Sequence, residues 1–187
     1  KMKKLILLSI LLIVGCEEAT EPQDCAGVAG GTAIIDSCTV CVSGTTNLTA
    51  CTQDCAGNWG GDAVEDIEEN CYNTVQINEQ VWMKENLKVT HYQNGDEIPT
   101  ALNKDDWVNL TSGAYAVYGD DYLNTEIIDM WGNLYNWYVV NDERGICPIG
   151  FHVPSKVEWS TLVTYLGGSS IAGGKMKKPS QNDWNYY

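Results

Sequence analysis

A chain of 187 residues with 25 acidic and 11 basic side chains carries a formal net charge of −14, which excludes the clustered Lys and Arg that DNA or RNA binding requires. Hydrophobic residues at 44% and charged residues at 19% exclude both a disordered acidic tail and a polytopic membrane protein, and the length suits one domain plus a small module. Seven Trp and ten Tyr stand beside a single Phe, so nearly every aromatic has a polar handle, and eight Cys are many for a reducing compartment.

The chain opens on Lys1, Lys3 and Lys4, followed by a largely apolar run, Leu5 to Val14. That run is too short to cross a bilayer, which needs about 20 residues, and it reads as a secretory signal over residues 1–15. Its end, Ile13-Val14-Gly15-Cys16, resembles a bacterial lipobox, which implies lipidation of Cys16 and cleavage before it. Cleavage there removes three lysines and takes the net charge from −14 to −17. Residues 16–23 read as an acidic tether, and Glu17 and Glu18 resemble the surface-export signals of some Gram-negative lipoproteins. Lys1 ahead of Met2 makes Met2 the expected start.

A Cys/Asp/Gly-rich module spans residues 24–71. Asp24-Cys25-Ala26-Gly27 and Gly30-Gly31 recur thirty residues later as Asp54-Cys55-Ala56-Gly57 and Gly60-Gly61, and a fixed period marks a repeat. Little apolar material is present, so the module needs staples. Cys25, Cys38, Cys41, Cys51, Cys55 and Cys71 form an even set, and an exported chain favours three disulfides, with fifteen pairings open. Cys38-x2-Cys41 and Cys51-x3-Cys55 also have the look of a four-thiolate zinc site. No cofactor is required. The recurring Asp24, Asp36, Asp54, Asp62 and Asp66 resemble the calcium-binding repeats of thrombospondin type-three modules, which makes calcium a candidate ligand; the alternative is a solvated acidic spacer.

From residue 72 to 187 the aromatics become dense. Val75-Gln76-Ile77 and Gln80-Val81-Trp82-Met83 read as two strands about an Asn78-Glu79 turn. Gly113 to Tyr118 reads as a strand, and Trp131 to Val140 fits strand or helix. Ser155-x-x-Glu158 is a capping box. Trp159, Leu162, Val163 and Leu166 then repeat at helical spacing, and Gly167-Gly168 ends a helix of about eleven residues.

Three ordered stretches carry a family resemblance: Gln80 to Leu87 (QVWMKENL), Gly132 to Tyr138 (GNLYNWY), and Ile146 to Ser155 (ICPIGFHVPS) with Glu158-Trp159. They resemble the Fibrobacter succinogenes major paralogous domain of bacterial exported lipoproteins. That resemblance implies a divergent C-type-lectin-like fold, here an incomplete one. The fold class expected is therefore α+β: a partial lectin-like domain of short antiparallel strands with one or two helices, after a disulfide-rich irregular module. The resemblance also implies that Cys147 pairs with a cysteine in a segment beyond residue 187.

No catalytic constellation is legible, so no enzyme activity is expected. His91 and His152 have no nominated carboxylate partner, and His152 reads as a hydrogen-bonded structural residue. Glu85, Glu97, Asp105 and Asp106 lack the spacing that would single out a glycosidase pair. Trp82, Trp131, Trp137 and Trp159 read as core. Trp107, Tyr118, Tyr122 and Trp184 lie among polar residues and are the candidate ligand contacts. The function expected is a lectin-like binding module for polysaccharide or a partner protein, lipid-anchored at the outer membrane or cell surface. The alternative is a display protein without a small-molecule ligand.

Overall fold

The computed structural model describes residues 21–100 and 103–177; Cys16 and Trp184 lie outside them. The structure is mixed α and β, with four antiparallel strand pairs, five short α-helices and three disulfides in its N-terminal region. Contacts divide the chain into two compact units at Cys51/Thr52, whereas the change of composition falls at residues 71/72. The second repeat copy therefore packs with the aromatic region that follows it.

The period of thirty is a structural repeat. In the first copy β1 (Ile34–Ile35) pairs with β2 (Cys41–Val42), with Ile34 opposite Val42. In the second, β3 (Val64–Glu65) pairs with β4 (Cys71–Tyr72), with Val64 opposite Tyr72. Cys25 bonds to Cys41 and Cys55 to Cys71, each across a separation of 16 residues. Cys38 bonds to Cys51 within the first unit. With Cys38, Cys41, Cys51 and Cys55 all oxidised, the four-thiolate zinc reading has no ligands.

The repeating aspartates hold the loops. The Asp24 carboxylate accepts from the amides of Ala26, Val28 and Ala33 at 2.9–3.0 Å. Asp54 does the same for Asn58 and Ala63. Gly31 and Gly61 are needed for this approach, because a Cβ at either would collide with the Asp24 or Asp54 carboxylate. Asp36 accepts from the amides of Cys38, Val40 and Cys51, and Asp66 from those of Glu68 and Asn70. Charge-assisted bonds of this kind are stronger than neutral ones, and they stand in for a core: only Ala33 and Val42 are buried apolar residues in the described part of the first unit.

Beyond Tyr72, β5 (Thr74–Ile77) and β6 (Gln80–Met83) form the expected hairpin, with Thr74 opposite Met83 and Ile77 opposite Gln80. Asn78 sits at φ 56° in the two-residue turn, a conformation that favours Asn. Strand β7 (Tyr115–Val117) pairs with β8 (Asn133–Tyr135). Among the described residues no sheet exceeds two strands.

Helices number five among the described residues, more than the one or two expected. Helices α1 (Lys104–Val108), α2 (Thr125–Trp131) and α3 (Trp137–Val140) are each capped by an asparagine, Asn103, Asn124 and Asn136, whose side chain accepts from the first-turn amides. The run from Trp131 to Val140 is thus both alternatives in turn: a helix end, a strand and a new helix. Helix α4 (Lys156–Tyr165) has the complete Ser155/Glu158 capping box. It stops where Gly168 N–H donates to Val163 O and Gly167 N–H to Thr164 O, a Schellman ending that uses the positive φ of Gly167. Helix α5 (Ser169–Lys175) follows and buries Ala172, although its sequence shows no apolar period. The core comprises Val89, Tyr92, Ile98, Tyr115, Val117, Val139 and Ile146.

Two expectations about the tryptophans change. Trp137 is 66% exposed and Trp131 38%; α3 buries Val139 instead, and α2 packs the partly buried Ile127 and Ile128 against the core.

Candidate functional site

The stretches Gln80 to Leu87 and Ile146 to Trp159 converge on one groove of ≈ 840 Å³, a size that accommodates small ligands. Its apolar lining includes Leu87, Tyr135, Ile146 and Phe151. Trp82 and Trp159 both line it, their ring centroids 5.0 Å apart and their planes tilted by 51°. Trp159 is 43% exposed. The Trp82 indole Nε1 is buried without a hydrogen-bond partner. These two side chains were expected in the core; they are instead a half-open aromatic wall.

Local bonds fix this wall. Gln80 Nε2 donates to the Glu158 carbonyl at 3.2 Å and so ties β6 to α4. The Ser155 amide donates to the Glu158 carboxylate at 2.7 Å, and His152 Nε2 lies 2.7 Å from the same group. The Ser155 amide and hydroxyl, then His152, lower the Glu158 pKa to about 2. Glu158 is thus held ionised, which suits an acceptor rather than a proton donor. His152 has the hydrogen-bonded role expected of it. Four carboxylates line the groove, Asp62, Glu79, Glu85 and Glu158, and among the described residues no Lys or Arg does. Cys147 also lines it; it is a free thiol among the described residues, and burial pushes its pKa up.

The other candidates lie elsewhere. Trp107 is half-buried on α1. Tyr122 is half-buried with its ring edge-on to Tyr115 at 6.3 Å. Tyr118 is 62% exposed, its ring 5.9 Å from that of Trp131. None of the three lines the groove. Of the four carboxylates weighed for a glycosidase, only Glu85 lines it, and Asn73 donates to that group from its amide and side chain. His91 sits apart, with Nδ1 2.5 Å from Glu68. Of the five aspartates considered for calcium, Asp24, Asp36, Asp54 and Asp66 face amides, and Asp62 lines the groove. Asp36 lies beside the Cys38 and Cys51 sulfurs, but those sulfurs are joined to each other and offer no thiolate.

Sequence reasoning missed Trp82 and Trp159 as site residues. The signal was present in the family stretches themselves, since all three contribute residues to this groove.

Residues 75–187 match the family model of the Fibrobacter succinogenes major domain. Searches of the curated proteins and of the solved structures find no match.

Proposed function

The chain belongs to the Fibrobacter succinogenes major domain family, and from that premise we propose that it is an exported, lipid-anchored binding protein whose groove takes polysaccharide. The observation that carries this reading is the Trp82–Trp159 pair on the wall of a groove of ≈ 840 Å³. Indole faces stack on the apolar faces of sugar rings, while carboxylates such as Glu79 and Asp62 accept from sugar hydroxyls. Four carboxylates with no lining Lys or Arg among the described residues repel uronate and sulfated glycans, so the ligand is a neutral polysaccharide, bound without turnover. Nucleic acid is excluded on the same ground.

Export is supported by the three disulfides, which persist in oxidising compartments. Among the described residues no helix is long and apolar enough to cross a membrane, and attachment is assigned to the lipid on Cys16. Calcium is not required by this reading.

The test is a glycan array containing neutral oligosaccharides and uronates, read with the parent protein and Trp159→Ala. Binding to a neutral set that is lost in the variant is expected. Uronate binding, or equal binding by both proteins, would overturn the assignment. A partner protein is the second reading, favoured by the exposure of Leu123 (93%) and Trp137 (66%).

A further inference from the structure

The family match begins at residue 75, yet Asp62 lines the groove. Asp62 belongs to the second cysteine repeat, and its carbonyl accepts from the Thr74 hydroxyl at the start of β5. The offset of thirty places Glu68 where the first copy has Cys38. The backbone is the same in both: Thr39 and Glu69, the next residues, share φ 62°. In the first copy that position is clasped covalently, Cys38 to Cys51. In the second the clasp is polar. Glu68 Oε1 accepts from the Thr90 amide at 2.7 Å and the Thr90 hydroxyl at 2.5 Å, and His91 Nδ1 lies 2.5 Å away. Burial raises the Glu68 pKa, but the Thr90 and His91 bonds outweigh it and leave a net lowering.

The segment that Glu68 grips leads to the groove. Two residues after His91, the Gln93 amide donates to Gly145 O and its side chain to Cys147 O. Cys147 lines the groove. The repeat thus contributes a side chain to the groove at Asp62 and holds, through Glu68, the segment bonded to another lining residue, Cys147.

We propose that the second cysteine repeat supplies a wall of the binding groove through one lining side chain, Asp62, a contact for ligand hydroxyls, and that Glu68 is the positioning residue that keeps this wall closed. The family domain alone has an incomplete site. This rests on the groove being the binding site, but the wall itself can be tested without any ligand.

The experiment is iodoacetamide labelling of Cys147 in the 187-residue chain, where the described residues leave it a free thiol, under native conditions, with site occupancy read by mass spectrometry. The thiol is partly buried, so its labelling reports opening. Removing a charge-assisted clasp should raise the open population about tenfold or more. Glu68→Ala is expected to speed labelling by that factor. Glu68→Gln, whose amide oxygen can still accept from Thr90, should return the rate close to the parent's. Amide exchange in residues 115–117 of the core is measured alongside. Labelling of Glu68→Ala at the parent rate, or acceleration accompanied by loss of that core protection, would overturn the wall. Asp62→Asn should weaken binding of the neutral oligosaccharides that the parent binds, with Cys147 labelling unchanged; undiminished binding would overturn the role of Asp62. If labelling responds to Glu68 while no oligosaccharide binds the parent, the function assigned to the groove fails and the wall stands. If oligosaccharides bind and labelling does not respond, the reverse holds.

Discussion

The first cysteine repeat and the aromatic domain solve the same problem with different chemistry. The repeat exposes Ile34 and Ile35 by more than half and buries almost nothing apolar. It is held by two disulfides and by aspartates that collect backbone amides. The aromatic domain buries a cluster around Val89, Tyr92 and Val139, and its only cysteine among the described residues is unpaired. The second copy lies between these extremes. It keeps the repeat's Asp and Cys framework, but Tyr72 stands where the first copy has Val42. Tyr72 is fully buried, donates to Asp66 at 2.6 Å and accepts from the Lys88 amide at 3.1 Å. The lesson is that a small irregular module joins a core by changing a few residues at fixed register positions while its backbone stays the same.

The largest effect that would sharpen this comparison comes from reduction. Each disulfide contributes about 2–4 kcal/mol, and the first unit has little else. Reducing agent should therefore unfold residues 24–51 first, with the aromatic domain retaining its near-ultraviolet circular dichroism. Simultaneous loss of both would break the distinction. A smaller effect is expected from Tyr72→Phe, which leaves a buried carboxylate oxygen and an amide short of a partner. A cost of about 1–3 kcal/mol should appear in the melt of residues 52–187 and spare the first unit; an unchanged melt would show that the second copy is only tethered. The mildest is acid. Amide donors led by Ala33 and Val28 for Asp24, Cys51 and Val40 for Asp36, and Asn58 for Asp54 lower those pKa values. A carboxylate with a lowered folded pKa contributes its full stability above the ordinary value of about 3.9, and that contribution falls away as pH drops through the folded value. Exchange protection of the Val28 and Ala33 amides should decline as pH is lowered from about 5, and constant protection would remove the aspartates from the account.

Local features were legible in the sequence, because their causes are local. The Asn78 turn, the Ser155/Glu158 box and the Gly167-Gly168 stop each depend on neighbours a few residues away. The period of thirty was legible for another reason, since the same residues recur in the sequence itself. The three asparagine-capped helices carry the same kind of signal more weakly, since each has only one or two turns and no apolar period. Helix α5 was hidden by its glycines. The disulfide pairing was not legible, as six cysteines allow fifteen arrangements. The groove was not either. Trp82 and Trp159 are 77 residues apart in the chain, and a helical apolar pattern says which face of α4 is buried but not that its edge meets a second indole. Trp107, Tyr118 and Tyr122 stand among polar neighbours in sequence, and none of the three lines the groove.

The clasp between Cys38 and Cys51 has a consequence for how such chains lengthen. In the first copy the aspartate bonds and both disulfides close within residues 24–51, and none reaches the residues that hold the second copy to its domain. A further copy inserted in frame ahead of residue 52 would bring its own fastenings and leave Glu68 and Tyr72 at the junction. The number of repeats can therefore grow in units of one period while the aromatic domain stays unaltered, so the length of the one and the packing of the other can vary independently.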